Sequence, residues 1–124
     1  MSKAKIIYPE LSYKLTGIFY KIHNELGRYC REKQYSDAVE KTLKEEKISY
    51  EKEKRILVNN NFSGNVADFI IENKILVEIK AKRFVTKEDY YQVKRYLKSR
   101  DLKLGLIVNF RNQYLKPTRI LNLY

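Results

Sequence analysis

With a single cysteine, Cys30, in 124 residues, the chain has no disulfide framework and no cluster of thiolates to hold a metal. Long apolar runs are also missing. Nothing approaches the roughly 20 apolar residues of a membrane span. The opening MSKAKIIYPE lacks the apolar stretch of a signal peptide. With two prolines and four glycines, no segment looks like a linker or a low-complexity tract, and no internal repeat is visible. These absences predict one domain over residues 1–124, soluble and cytoplasmic, with no membrane partner. A chain of this size can bury about two-thirds of its unfolded surface, enough for one core.

Acidic residues are the other shortage. Fifteen Asp and Glu face 26 Lys and Arg, a net charge of +11. Such an excess favours polyanions as partners and speeds association with them. Simple solubility, or an acidic protein partner, is the alternative. The basic residues are spread along the chain, so any binding surface must be made by the fold. Eleven tyrosines and five phenylalanines accompany them. Tyrosine can stack on bases, although most of these rings are expected to pack.

The hydrophobic period assigns the elements. Leu11, Leu15, Ile18, Phe19, Ile22 and Leu26 fall on one face of a helix over 11–26, after Pro9 and before a capping Gly27. A second helix is predicted from Arg31 to Lys47, with Tyr35, Ala38, Val39 and Leu43 inward. The period then shortens to two. Strands are predicted over 50–59, 64–72 and 75–81, forming an antiparallel meander with turns at Asn59-Asn60-Asn61 and at Asn73. Thr86 resembles an N-cap, with Asp89 completing a weak capping box. The helix it opens is expected over 87–99, burying Tyr90, Val93 and Leu97. The apolar run 104–109 suits a strand covered on both faces, and a last strand follows Pro117 over 118–123. The order α-α-β-β-β-α-β-β predicts an α/β fold, one mixed sheet flanked by helices.

Chemistry concentrates in the strand 75–81. Ile75, Val77, Ile79 and Ala81 share one face, read as the core, while Leu76, Glu78 and Lys80 share the other. In the preceding strand Asp68 interrupts an apolar run. With the hairpin centred on Asn73, Asp68 and Glu78 lie opposite each other. Two carboxylates that close repel unless a cation sits between them. Mg²⁺, with Mn²⁺ as a substitute, fits such a pair, and the carbonyl of Ile79 could add a third oxygen. The ion would polarise a phosphoryl oxygen and make a bound water more acidic, while Lys80 positions that water or stabilises developing charge. The plain alternative is a surface salt bridge, Glu78–Lys80, beside a solvated Asp68. Lys82 and Arg83 follow the strand and are the first candidates for gripping phosphates, with Arg95 and Tyr96 extending that surface. His23, the one histidine, reads as structural or solvent-facing, and Cys30 as an inert thiol.

The run V-A-D-F-I-I-E…I-L-V-E-I-K-A resembles the core motif of the PD-(D/E)XK nuclease superfamily. Within it, the chain as a whole looks like the small GxxExxY proteins. The resemblance rests on H-N-E-L-G closing the first helix, Glu32 and Tyr35 as E-x-x-Y, and the D…E-x-K hairpin. It extends to Gln92 with Tyr96-Leu97, and to L-K-L-G-L-I-V-N-F at 102–110. It implies an α-β-β-β-α-β restriction-endonuclease-like core and Mg²⁺-dependent hydrolysis of phosphodiester bonds in DNA, with RNA as the lesser alternative. Asp68 and Glu78 match the metal ligands, Lys80 the catalytic lysine, Glu32 a helical glutamate facing the metal, and Gln92 a frequent active-site glutamine. Tyr29 stands where the glycine of G-x-x-E-x-x-Y belongs, and A-D replaces P-D. A second function class stays open: a catalytically silent nucleic-acid-binding module, or one subunit of a larger assembly. Little chain remains beyond the core to hold a substrate, and a homodimer would supply surface.

Overall fold

A computed structural model describes residues 7–52, 57–58, 61–62 and 68–123. Helix α1 runs Pro9–Leu26. Proline suits this first position because its missing N–H would be unbonded there anyway. Ser12, Leu15, Ile18, Phe19 and Ile22 are buried. Leu11 is only half-buried and Leu26 is exposed, so the predicted stripe is longer than the surface it covers. Gly27 ends the helix at φ 76°, its N–H donating to the His23 carbonyl. Helix α2, Glu32–Glu45, buries Tyr35, Ser36, Val39 and Leu43.

The strands follow as β1 Tyr50–Lys52, β2 Leu57–Val58, β3 Asn61–Phe62, β4 Phe69–Ile71 and β5 Ile75–Lys80. Then come α3 Lys87–Arg100, β6 Leu104–Asn109 and β7 Thr118–Leu121. The strand expected over 50–59 is divided. Tyr50–Lys52 joins the main sheet, whereas Leu57–Val58 pairs with Asn61–Phe62 in a separate two-stranded ribbon. Within β1 only Tyr50 packs inward, edge-on to Phe69 at 5.8 Å, while Glu51 and Lys52 are exposed. The remainder of the strands expected over 50–59 and 64–72, at 53–56, 59 and 64–67, lies outside the described residues, as does Asn60 of the predicted turn.

The main sheet has five strands in the order β1-β4-β5-β6-β7. Only β5 and β6 are parallel; the other neighbours are antiparallel, which makes the sheet mixed. Helix α3 is the crossover that a parallel pair requires. On one face, α1 and α2 cover Phe69, Ile71, Ile75, Val77 and Ile79. On the other, Val93 and Leu97 of α3 cover Ile70, Leu76, Ile107 and Ile120. The expectation of a single core face on β5 is therefore corrected: Leu76 belongs to a second core, because a parallel strand beside a crossover helix is covered on both sides. Tyr90 is corrected too. It is 41% exposed, and Asp89 takes the inward position because its carboxylate accepts from the N–H and hydroxyl of Thr86.

Gly105 sets how closely α3 approaches. A Cβ there would lie 2.8 Å from Val93 Cγ1 and 3.4 Å from Leu97 Cδ1. Gly105→Ala therefore forces the helix away from β6 and is expected to cost about 1–3 kcal/mol. Thermal unfolding should show a midpoint lowered by several degrees; an unchanged midpoint would mean that the helix yields without loss.

Candidate functional site

The β4–β5 hairpin turns through Glu72 and Asn73, both in the left-handed region at φ 51° and 54°. Such paired positive φ values match the twist of a tight hairpin, and Asn tolerates them better than most residues. The turn sets the register: Ile71 faces Ile75, Ile70 faces Leu76 and Phe69 faces Val77. One step further, the same register brings Asp68 opposite Glu78. Asp68 has already left the strand, and its Oδ2 accepts the Ile79 N–H at 2.6 Å. The side chain thus takes over the ladder where the backbone of β4 leaves it. On β5 the Lys80 carbonyl accepts from Phe110 on the β6 side. Peptide groups alternate along a strand, so both the N–H and the carbonyl of Ile79 point toward Asp68.

Glu78 shares the α3 face with Leu76 and is 8% exposed. Its Oε1 lies 3.4 Å from Lys80 Nζ, so the pair is buried rather than the surface bridge of the plain alternative. Burial pushes the Glu78 carboxyl up to about 8, and the charges of Asp68 and, more weakly, Glu32 push the same way. Lys80 pulls it back only in part. For Glu78, burial and the neighbouring acids thus outweigh the pull of Lys80. Its donors are two carboxylates and a carbonyl, the oxygen set that a hard divalent cation takes.

Around this centre the structure distributes the other expected residues unevenly. Glu32 opens α2, half-buried and near enough to act on Glu78. Tyr35 is fully buried and stacks on Phe110 at 4.3 Å. Its hydroxyl donates to the Gly27 carbonyl and accepts the Cys30 N–H, so it fastens the loop that delivers Glu32. Gln92 is half-buried one turn after Asp89, on the same flank of α3. Lys82 forms an ion pair with Asp89. Arg95 pairs with Glu88 at 3.0 Å, and Tyr96 accepts from Arg100 at 3.2 Å. Arg83 is exposed. His23 bonds the Asn112 carbonyl at 2.8 Å, a structural role. Among the described residues, no group of three or more His, Cys, Asp or Glu side chains converges as a metal site.

Two residues gain importance only in three dimensions. Asp89 is 7% exposed and lies within 3.8 Å of Lys80 as well as bonding Lys82. Burial would raise its carboxyl, but Lys82, the N–H and hydroxyl of Thr86, and Lys80 together hold it below the usual carboxylate value. Asn109 ends β6 beside Lys80. Its side chain accepts the Lys82 N–H at 3.1 Å and donates to the Lys82 carbonyl at 2.7 Å, fixing the chain as it leaves the motif. A polar residue closing the apolar run LGLIV was the one sequence signal for it.

A family model of the PD-(D/E)XK nuclease superfamily matches residues 9–120, from the first turn of α1 to the last strand. The chain belongs to the PD-(D/E)XK nuclease superfamily. No curated protein and no solved structure matches the chain. The mixed five-stranded sheet between helices is the restriction-endonuclease-like architecture of that superfamily. Membership suggests a nuclease, and with it a nucleic-acid substrate and a divalent metal. In this PD-(D/E)XK member the E-x-K lies on the central strand, β5, with Asp68 just before its neighbour β4. Among the described residues no helix is long and apolar enough to cross a membrane.

Proposed function

We propose that this protein is a Mg²⁺-dependent nuclease of the GxxExxY type that hydrolyses phosphodiester bonds in DNA. The observation that carries the reading is Glu78, buried beside Asp68 and paired to Lys80 at 3.4 Å, with its carboxyl raised first by burial and then by the charge of Asp68. Burying an acid among acids costs stability unless a cation is gained in return. Asp68, Glu78 and the Ile79 carbonyl would hold the ion, Mn²⁺ substituting for Mg²⁺. When bound, such an ion supplies Lewis-acid polarisation of a phosphoryl oxygen.

The remaining work falls to the chain. The Ile79 N–H holds the Asp68 carboxylate in orientation. Lys80, 15% exposed at its side chain, brings a compact positive charge to the phosphate undergoing attack or orients the water that attacks it. Asp89 lies 3.8 Å from Lys80, Glu32 is near enough to act on Glu78, and Gln92 follows Asp89 by one helical turn, where it would face the substrate. The net charge of +11 draws the polyanionic substrate. A lone cysteine needs no oxidising compartment, in keeping with a cytoplasmic enzyme, and a second copy of the chain would widen the substrate surface.

One observation favours a second reading, a scaffold that binds nucleic acid without cutting it. Lys80 is shared between Glu78 and Asp89, and among the described residues no three His, Cys, Asp or Glu side chains are grouped closely enough to hold a metal. A single assay separates the two. Labelled single-stranded, duplex and branched DNA, and RNA, are incubated with the protein in Mg²⁺, Mn²⁺ or EDTA. Cleavage that needs the metal supports the nuclease; binding of every substrate without cleavage in either metal supports the silent scaffold.

A further inference from the structure

Beyond the carboxylate site, three loops meet in a groove of about 510 Å³. Arg28 and Tyr29 come from the α1–α2 connection, Arg83 from just after β5, and Arg111 and Tyr114 from just after β6. Its charge is one-sided. Lys33, Lys52, Lys80, Lys82, Arg95 and Arg100 all have carboxylate partners. Among the described residues, Arg28, Arg83 and Arg111 form no such ion pair.

Two of these guanidinium groups are also held together. Arg28 Cζ and Arg111 Cζ each lie 5.1 Å from the centre of the Tyr29 ring, so they can be no further apart than twice that distance. Arg28 Nε donates to the Arg111 carbonyl at 2.9 Å. The Arg111 N–H donates to Asn109, and the neighbouring Asn112 carbonyl bonds His23. Like charges are thus fixed near one another by an aromatic face and by backbone ties, with no acid paired to them among the described residues. An anion entering the groove relieves that repulsion. At the rim Tyr114 is 81% exposed, a flat apolar face with no packing role to explain it.

We infer that this groove is a subsite for an unpaired strand of nucleic acid, phosphates on Arg28, Arg83 and Arg111 and a base stacked on Tyr114. It rests on the proposed function for where the strand leads, since Arg83 stands three residues past Lys80, within about 10 Å of chain. A guanidinium fork matches phosphate oxygens in pairs. A charged channel with an aromatic wall is how single strands are held without reading sequence, whereas bases inside a duplex are stacked on both faces and have none to offer Tyr114.

The test is binding in EDTA, where cleavage plays no part. Fluorescence anisotropy compares a labelled oligothymidylate, an abasic oligomer of equal charge and a blunt duplex. The oligothymidylate should bind best. Tyr114→Ala should weaken it by about 5- to 100-fold, and leave the abasic oligomer unchanged. Arg83→Gln and Arg111→Gln should each flatten the log K against log salt slope by about 1. Arg83 and Tyr114 are exposed, so their variants keep the fold, checked by thermal unfolding. Tighter binding of the duplex, wild-type affinity in both Tyr114→Ala and Arg83→Gln, or equal competition by polyglutamate would each overturn the inference. Loss of the nuclease reading has a different signature: no metal-dependent cleavage, with binding in EDTA intact.

Discussion

Lys80→Ala lowers metal-dependent cleavage by about 10²–10³-fold, the usual effect of removing one charge-stabilising donor from an active site. The reason lies in where the ammonium stands. It is 3.4 Å from Glu78 and 3.8 Å from Asp89, held on the edge of the carboxylate centre rather than swinging in solvent. A surface lysine bound only to phosphate would instead weaken substrate binding and leave turnover alone. The measurement is therefore kcat and KM separately, under saturating Mg²⁺. A fall in kcat with KM little changed supports a role in the chemical step. A rise in KM at constant kcat would reassign Lys80 to substrate binding. Removing the ammonium leaves Glu78 with one neutralising partner fewer, so the alanine variant could lose stability. Lys80→Met keeps the aliphatic stem in place and should show the same loss of turnover in a folded protein. Wild-type cleavage by both variants would rule out the catalytic assignment.

Glu78→Gln should stabilise the metal-free protein above neutral pH and abolish its response to Mg²⁺. The Glu78 carboxyl titrates near 8 in the folded protein against an ordinary 4.5. Between those values the folded state keeps a proton that the unfolded state has released. Stability is therefore fully present below about pH 4.5 and is lost as pH rises through about 8, with a total on the order of 3–5 kcal/mol. Glutamine has no proton to lose, so the variant should flatten this part of the profile. Denaturant melts in EDTA across that range measure it directly. Mg²⁺ competes with the same proton, so its stabilising effect on the wild type should grow with pH and fade in acid. A wild-type profile that rises from pH 5 to pH 8 in EDTA would contradict the charge arrangement described for Glu78.

Much of this protein is legible without coordinates. The boundaries of β5 and β6, the capping box at Thr86 and Asp89, and the glycine stop after α1 follow from interactions two to four residues apart, which a sequence displays directly. The alignment of Asp68 with Glu78 is equally local, because a tight turn at Asn73 determines the register of the hairpin. So are the helix faces, apart from Leu26, exposed at the end of the α1 stripe, and Tyr90, where a buried cap outcompeted a large apolar ring. That Tyr50–Lys52 and Leu57–Val58 pair with different strands was less visible, since alternation alone does not name a strand's partner.

The sequence by itself determined the fold class, the hairpin and the acid–acid–lysine arrangement at its end, because each arises from short-range periodicity and turn chemistry. Only the tertiary structure decided which basic residues remain without acid partners. Lys82 and Arg95, early candidates for phosphate contact, are paired to Asp89 and Glu88. Arg28 and Arg111, distant in sequence, meet on Tyr29. That meeting depends on β6 ending beside the α1–α2 connection, and because β5 runs parallel to β6, Arg83 comes to the same groove. No local period encodes strand order; it emerges when both faces of the sheet must be buried at once.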